Sequence, residues 1–359
     1  MLKNRIIVAM SGGVDSSVTA ALLKSRGHRL TGIFLRSGHS EETTGGKGCC
    51  TVEDANDARI VAARLGIPFY VLSLRDGFER LVEHFVSEYV AGRTPSPCVL
   101  CNQWLKFGAL LDYARGVGAQ AVATGHYARV EHDGARPVLR RGRDASKDQS
   151  YFLFSLTSEQ LGASLFPLGD LTKPKVRELA GQFELPVREK AESQDICFVP
   201  EGGYAELIEK LAPGSLKPGP IRDPQGRLLG EHRGIGRYTI GQRRGLGISS
   251  EGPRYVTNID ASANSLTLGP AEGLLRTRLH AERVNWLVDP SEQERPLRAA
   301  VQIRYRSRPE PATITPLPGN EARVVFDSPV RAIAPGQAAV FYDGDRVLGG
   351  GWIQATTPR

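Results

Sequence analysis

Ala9-Met10-Ser11-Gly12-Gly13-Val14-Asp15-Ser16-Ser17 lies between two segments of different periodicity. The apolar run Ile6 to Met10 ahead of it predicts a buried strand. Behind it, Ser16 to Arg26 carries Val18, Ala21 and Leu22 on one helical face, and Gly27 suits the C-terminal cap. The stretch therefore reads as strand, glycine turn, helix. Gly12 and Gly13 let the backbone approach a ligand closely, and Ser and Asp oxygens are expected to cap the helix. Unpaired N–H groups and the positive end of the helix dipole then face the loop, which makes it an anion site.

Two common nucleotide loops are excluded. No Lys-Ser/Thr follows a second glycine, and there is no G-x-G-x-x-G. Ser-Gly-Gly-Val-Asp-Ser instead resembles the pyrophosphate-binding loop of the ATP-pyrophosphatase superfamily, whose members adenylate a substrate oxygen and release pyrophosphate. Asp15 in such a loop is expected to hold Mg²⁺ against the pyrophosphate.

Outward from the loop, strands and helices alternate. Arg29 to Arg36 is a second strand, residues 37–48 a polar loop, Glu53 to Leu65 a helix and Pro68 to Leu74 a third strand. Phe78, Leu81, Val82, Phe85, Val86 and Tyr89 mark an amphipathic helix, which the turn from Arg93 to Cys98 breaks. A helix over about Asn102 to Arg115 and an apolar strand from Ala119 to Thr124 follow. This pattern predicts an α/β, doubly wound parallel sheet, with ligands collecting beyond the C-terminal strand ends. There both the glycine loop and Gly125-His126 fall. Tyr127 to Arg141 is a hairpin about Asp133-Gly134, and Thr172 to Phe183 a capped helix. Past Pro200 glycine and proline become dense and helices nearly vanish. Three domains are expected: 1–200, the catalytic α/β domain; 201–278, a small mostly-β domain; and 279–359, a C-terminal β-barrel.

The 359 residues carry a net charge of +7, with arginines clustered at 140, 141 and 143, at 233 and 237, at 243 and 244, and at 304, 306 and 308. Such a surface attracts polyanions, and nucleic acid is the leading partner, against a merely solvated arginine-rich face. No apolar run reaches membrane-spanning length and no signal segment opens the chain, so a cytoplasmic location without membrane contact is expected. In that reducing compartment the five cysteines, at 49, 50, 98, 101 and 197, suggest metal or redox chemistry over disulfides. Cys98-Val-Leu-Cys101 sits just ahead of a helix, which makes Cys101 a candidate nucleophile. A four-cysteine zinc site with Cys49 and Cys50 is disfavoured, because adjacent cysteines lack ligand spacing. Adenylation beside a thiol has a clear use: ATP turns a carbonyl oxygen into a leaving group, and a persulfide sulfur replaces it.

The blocks AMSGGVDSS, CCTVEDANDARIVAARLGIPFYVL, RTPSPCVLCNQWLKF, ATGHYA, KDQSYFLF, ESQDICFV, YTIGQRRGLGI and APGQAAVFYDGDRVLGGGWI extend over almost the whole chain. They resemble the bacterial tRNA-specific 2-thiouridylase (MnmA) family. The resemblance implies an adenine-nucleotide α-hydrolase-like domain, a central domain and a C-terminal β-barrel. It also implies ATP-dependent 2-thiolation of the wobble uridine of tRNA, through adenylation of the C2 oxygen and sulfur transfer from a cysteine persulfide. Carried over by position, Ala9, Met10, Ser11, Gly12, Gly13, Val14, Asp15 and Ser16 would bind ATP, with Leu35 and Gly125 on the adenosine side. Cys101 would be the nucleophile and Cys197 the persulfide carrier. Ser96, Pro97 and Cys98 would lie at the target base; His126, Lys147, Asp148, Gln149, Arg304, Tyr305 and Gln337 would touch tRNA. Read from the residues alone, His126 is a satisfied strand-end histidine, Lys147 to Gln149 a polar turn, and Arg304 and Tyr305 part of a strand's solvated face.

There are two departures from the family pattern. Ser96 stands where an Asn is common, and Cys98 where many members carry an Asp thought to aid the chemistry. Cys98 opens a second route, in which Cys98, Cys101 and Cys197 converge to ligate a [4Fe–4S] cluster. The first route needs only Cys101, Cys197 and a persulfide donor, a cysteine desulfurase or sulfur-relay protein. Alternative functions are a small-molecule synthetase of the same superfamily, another tRNA-modifying enzyme such as a lysidine synthetase, and a zinc-stabilised RNA-binding protein without ATP chemistry.

Overall fold

The computed structural model describes residues 5–37, 51–132, 136–191, 196–200, 202–249, 252–293 and 295–357. The chain divides into two units: residues 1–81, 98–201 and 345–347, and residues 82–97, 202–344 and 348–359.

The first unit is built on five parallel strands, Arg5–Ala9, Arg29–Arg36, Phe69–Ser73, Ala121–Ala123 and Ser164–Leu165, in the spatial order third, second, first, fourth, fifth. The first strand is apolar at every inward position because it is covered on both faces; Ile6, Ile7 and Val8 are at most 1% exposed. Val14, Val18 and Ala21 of the helix Val14–Ser25 share a core with Ala58, Val61 and Ala62 of the helix Val52–Arg64 and with Val176 and Ala180 of the helix Lys173–Gln182. Each buried valine of this set contributes about 1.5–3 kcal/mol, each alanine less. The hairpin Ala128–Glu131/Val138–Arg141 completes the unit, where Asp345 accepts hydrogen bonds from Arg129 and Arg140. The predicted Asp133-Gly134 turn, most of the 37–48 loop, Cys49, Cys50 and Glu192 to Asp195 lie outside the described residues.

Strand order reverses between the first and fourth strands. The first connection runs to one side, the later one to the other, so their C-terminal ends flank a crevice. Met10 to Gly13 leave the first strand there, and Thr124 to Tyr127 leave the fourth.

In the second unit, four strands (Gly219–Arg222, Leu228–His232, Tyr255–Asp260, Ser265–Gly269) enclose a small core of Ile221, Ile235, Tyr238, Leu246, Val256, Leu266 and Leu268. Six antiparallel strands, beginning at Leu275–Trp286 and ending on Arg346–Thr357, close on each other as a barrel around Val301, Ile314, Val324 and Phe341. The barrel therefore opens at Leu275, four residues before its expected start.

Two local expectations are corrected. The helix after the glycine loop starts at Val14 with Gly13 as its N-cap, and no side chain caps it; the serines act elsewhere in the loop. The next helix does have a side-chain cap, which the sequence reading passed over: Thr51 and Asp54 form a reciprocal capping box, worth about 1 kcal/mol. The helix expected from Asn102 starts at Pro97, runs to Gly116, and is π-wound from Cys101 to Ala109.

Candidate active site

The glycine loop is zipped shut by its own serines. Ser11 N–H donates to Ser16 Oγ at 3.1 Å, Ser16 Oγ–H to the Gly13 carbonyl at 3.2 Å, and Ser17 Oγ–H to the same carbonyl at 2.8 Å. Gly12 has φ +73°, and a Cβ there would sit 2.2 Å from the Asp54 carbonyl oxygen, so no other residue fits. Gly125 is equally constrained: a Cβ would meet the Asp15 carbonyl carbon at 2.8 Å and Ser16 N at 2.9 Å. The end of the fourth strand thus lies directly on the first turn of the helix Val14–Ser25. The N–H groups of that turn have no intrahelical acceptors and face the loop. Ala9, Met10 and Val14 line the strand and helix ends around it, and Leu35 lies half-buried near the end of the adjacent second strand.

Asp15 is held from two sides. Lys173 Nζ lies 2.7 and 2.9 Å from its two carboxylate oxygens, and the Tyr127 hydroxyl donates to Oδ1 at 2.8 Å. Lys173 is only 8% exposed. Its own N–H donates to Asp144 Oδ2 at 2.9 Å, so a carboxylate from outside the helix fixes the turn that carries it. Hydrogen bonding from Ser146 keeps the Asp144 carboxyl below its ordinary range. Lys173 is a site residue that sequence reasoning missed. The available signal was a Lys-Pro-Lys start to a predicted helix, where a buried first-turn lysine opposes the helix dipole and needs an anion.

Cys101 lies in the second turn of its helix. Cys98 is in the first turn, directly after Pro97, and is exposed; the expectation that the helix N-terminus serves Cys101 is therefore corrected in favour of Cys98. The wide π-turns release the Gln103 carbonyl to accept from Gln160 Nε2 at 3.2 Å, and Asn102, 2% exposed, donates to the Phe152 carbonyl at 3.1 Å. π-Winding recurs at functional sites, and this stretch begins on the candidate nucleophile. The segments that carry Cys197 and Cys101 both pack on one helix. Phe198 stacks edge-on against Phe78 with ring centroids 5.7 Å apart, while a Cβ on the neighbouring Gly77 would strike Leu105 at 2.7 Å. Arg80 lies over the Trp104 ring at 4.5 Å. One helical turn, Gly77 to Arg80, therefore anchors both cysteine-bearing segments.

Most residues carried over as RNA contacts are engaged inside the protein. His126 is 8% exposed, lies close to the rings of Phe107 and Phe166, and pairs through Nδ1 with Thr124 Oγ1 at 2.7 Å. Burial, aided by Lys106, pushes its pKa well below the ordinary value, so the ring is neutral. Asp148 is saturated: its carboxylate accepts from the Gly142 and Ser150 N–H groups, the Ser150 hydroxyl and Arg141. It builds the turn that presents Lys147 and Gln149, and Gln149 Oε1 accepts from Tyr127 N–H at 3.0 Å.

In the second unit, Gln337 Nε2 donates to the carbonyls of Thr94 and Pro95 at 3.0 and 3.1 Å. That fixes the segment leading into the buried Ser96 and Pro97. Arg304 and Tyr305 do not sit in a strand. The strand ends at Gln302, whose Nε2 donates to both of their carbonyls, and Arg304 Nη2 reaches the Ala332 carbonyl at 2.9 Å.

Among the described residues no three His, Cys, Asp or Glu side chains gather to hold a metal ion. Cys98, Cys101 and Cys197 are thus not gathered as a metal-holding group there, and the [4Fe–4S] route gains no support from that arrangement. Both oxygens of Asp15, the residue expected to meet Mg²⁺, accept from Lys173 and one also from Tyr127. Lys173 supplies the positive charge at that place.

Three domain models match the chain: a tRNA methyl transferase HUP domain over residues 4–201, a tRNA methyl transferase PRC-barrel domain over 207–270 and an aminomethyltransferase β-barrel domain over 276–353. Full-length relatives are close. The tRNA-specific 2-thiouridylase MnmA of Geotalea uraniireducens is 50% identical, with 99% of this chain and 97% of that protein covered. That of Geobacter metallireducens is 51% identical over 98% and 97%, and that of Zymomonas mobilis 49% identical over 99% and 94%. A solved 4-thiouridine synthetase–RNA complex with bound ATP is a distant neighbour, with a TM-score of 0.36 and 16% identity over 59% of this chain and 51% of that one. With a glycine loop at the switch point of a parallel sheet, two cysteine segments on one helical turn and near-complete coverage at about half identity, the chain belongs to the tRNA-specific 2-thiouridylase MnmA family.

Proposed function

We propose that this chain is a tRNA-uridine 2-sulfurtransferase. It activates the C2 oxygen of the wobble uridine with ATP and replaces that oxygen by sulfur. The observation that carries the reading is the pairing of two sites within one unit: an anion-binding loop completed by Lys173, and two cysteine segments packed on the Gly77–Arg80 turn. The words "methyl transferase" in the domain descriptions find no separate support, since the curated full-length relatives are thiolation enzymes.

In this reading the first-turn N–H groups and Lys173 hold the β- and γ-phosphates, and Leu35 and Gly125 flank the adenosine. The uridine O2 attacks the α-phosphorus, and pyrophosphate leaves. Developing negative charge is met by fixed donors, which is where such sites gain most of their rate. The terminal sulfur of a Cys197 persulfide then attacks C2 and AMP departs with the former O2. Cys101 attacks the Cys197 sulfur, so that the carbon–sulfur bond stays on the base and a Cys101–Cys197 disulfide remains. An external thiol reductant and a persulfide donor, a cysteine desulfurase or sulfur-relay protein, reset the pair. Cys98 stands near the base and carries no step. The setting is cytoplasmic; among the described residues no helix is long and apolar enough to cross a membrane.

The test is pyrophosphate release with and without tRNA, followed by mass spectrometry of the wobble uridine. Release that depends on tRNA, with a mass gain of sulfur for oxygen, is expected. Release without tRNA would favour a small-molecule synthetase.

A further inference from the structure

The YTIGQRRGLGI block has no part in the chemistry above, yet it forms a braced loop. Tyr238 and Leu246 are buried in the core of the four-stranded sheet, Ile240 packs against it, and residues 243–245 between them are exposed. Thr239 N–H donates to Gln242 Oε1 at 3.1 Å, and Gln242 Nε2 donates to the Arg244 carbonyl at 3.0 Å. Gly241 N–H donates to the Val256 carbonyl at 2.8 Å, and Val256 N–H to the Gln242 carbonyl at 3.0 Å. Gly241 and Gly245 adopt φ +89° and +72°, which glycine supplies without strain. At the tip stand Arg243 and Arg244, both exposed, and neither guanidinium makes an ion pair with a described residue.

The loop meets the Arg304 turn at a single residue. A Cβ on Gly241 would lie 2.8 Å from that of Ala332, and the Ala332 carbonyl accepts from Arg304 Nη2 at 2.9 Å. Ala332 itself holds φ +56°, a strained value for alanine that this double contact fixes. Its neighbour Arg331 is exposed and lies over the Tyr255 ring at 4.6 Å. Two residues of chain reach at most about 7 Å, so Arg243 stands within side-chain range of the Arg304–Ala332 contact. Arg306 and Arg308, both exposed, follow on the same segment as Arg304. Holding two like charges side by side on a rigid tip is unfavourable until an anion arrives, and guanidinium forks match phosphate oxygens two at a time.

We propose that the Arg243-Arg244 loop is a phosphodiester-binding element that grips the backbone of the same RNA as the Arg304–Tyr305 turn. It rests on the RNA-substrate reading above and adds a site to it. Backbone contacts carry no sequence information, so the loop sets register and affinity rather than choice of base.

The experiment compares full-length wild type, Arg243→Ala/Arg244→Ala, Arg243→Lys/Arg244→Lys and Arg304→Ala by tRNA binding from about 50 to 200 mM salt. Loss of two phosphate contacts makes the log–log salt slope of the alanine pair shallower by about 1.4–1.8. The lysine pair keeps most of the slope, and ATP binding without RNA is the same in all four. A wild-type slope in the alanine pair, with weakened binding in Arg304→Ala, overturns the loop proposal and leaves the RNA reading standing. Failure of wild type to bind tRNA overturns the RNA reading itself.

Discussion

Lys173 Nζ lies within 2.9 Å of both carboxylate oxygens of Asp15, across 158 residues of sequence. This contact ties the first turn of the helix Val14–Ser25 to the first turn of the helix Lys173–Gln182. It also places an ammonium beside a loop shaped for phosphate. Lys173→Met is expected to abolish tRNA-dependent pyrophosphate release and to destabilise by about 1–3 kcal/mol, because Asp15 loses its counter-charge while still partly buried. Asp15→Asn with Lys173→Met should recover stability and not activity. Restored pyrophosphate release in the double variant would remove Lys173 from the chemistry.

Gly12→Ala should fail on packing alone. The left-handed backbone and the 2.2 Å approach to the Asp54 carbonyl allow no methyl group. A loss of about 2 kcal/mol or more in urea unfolding is expected, with no ATP binding. Gly13→Ala makes the control, since its nearest neighbour would be 3.7 Å away.

Cys197→Ser should still form adenylated tRNA and make no 2-thiouridine, because activation uses the loop and sulfur transfer uses the thiol. Cys98→Ala should retain sulfur transfer. If it does not, Cys98 belongs to the sulfur route and the two-cysteine scheme is incomplete.

Gln337→Ala removes the two donors that fix the Thr94 and Pro95 carbonyls ahead of Ser96 and Pro97. The expected result is a rise in KM for tRNA or a fall in kcat with KM for ATP unchanged. An effect of the same size on ATP binding would show a general loss of structure instead.

His126 gives stability a pH dependence whose sign follows from burial. Its folded pKa lies well below the ordinary value of about 6.5, so below that pH the unfolded chain takes up a proton that the folded chain refuses. Stability contributed by the neutral ring is full above about 6.5 and is lost as pH falls toward the folded pKa. His232, which burial also pushes down, acts in the same direction. His126→Phe should flatten the fall of urea midpoint between about pH 7 and 5, and an unchanged slope would count against a buried neutral ring.

The sequence carried the strand–loop–helix start, the parallel sheet and the closing barrel, because each rests on local periodicity. Ile6 to Val8 and the helix from Phe78 to Tyr89 announce themselves by spacing alone. What stayed hidden depends on partners far along the chain. Lys173 reads as a surface helix residue until Asp15 is placed beside it. Asp148 and Gln337 enter as tRNA contacts through the resemblance alone, and their bonds to Gly142, Ser150 and the 94–95 carbonyls have no mark in the sequence. The π-winding from Cys101 has no compositional mark, and the earlier helix start was masked by Ser-Pro-Cys, which resembles a breaker although Pro97 is a good first helical residue.

The carboxylate of Asp345, which receives Arg129 and Arg140, also fixes when the catalytic unit can finish folding. A growing chain emerges N-terminus first, and Asp345 trails Arg129 by 216 residues. At a synthesis rate of about 5–20 residues per second, Arg129 waits about 10–40 s for this carboxylate, while Arg140 already has Glu131 within the hairpin. During that interval the first five barrel strands are made, ahead of the three residues that return and of the last strand, which they open. A fragment cut at residue 200 would therefore carry the whole nucleotide loop and yet leave Arg129 without the carboxylate that the complete chain supplies.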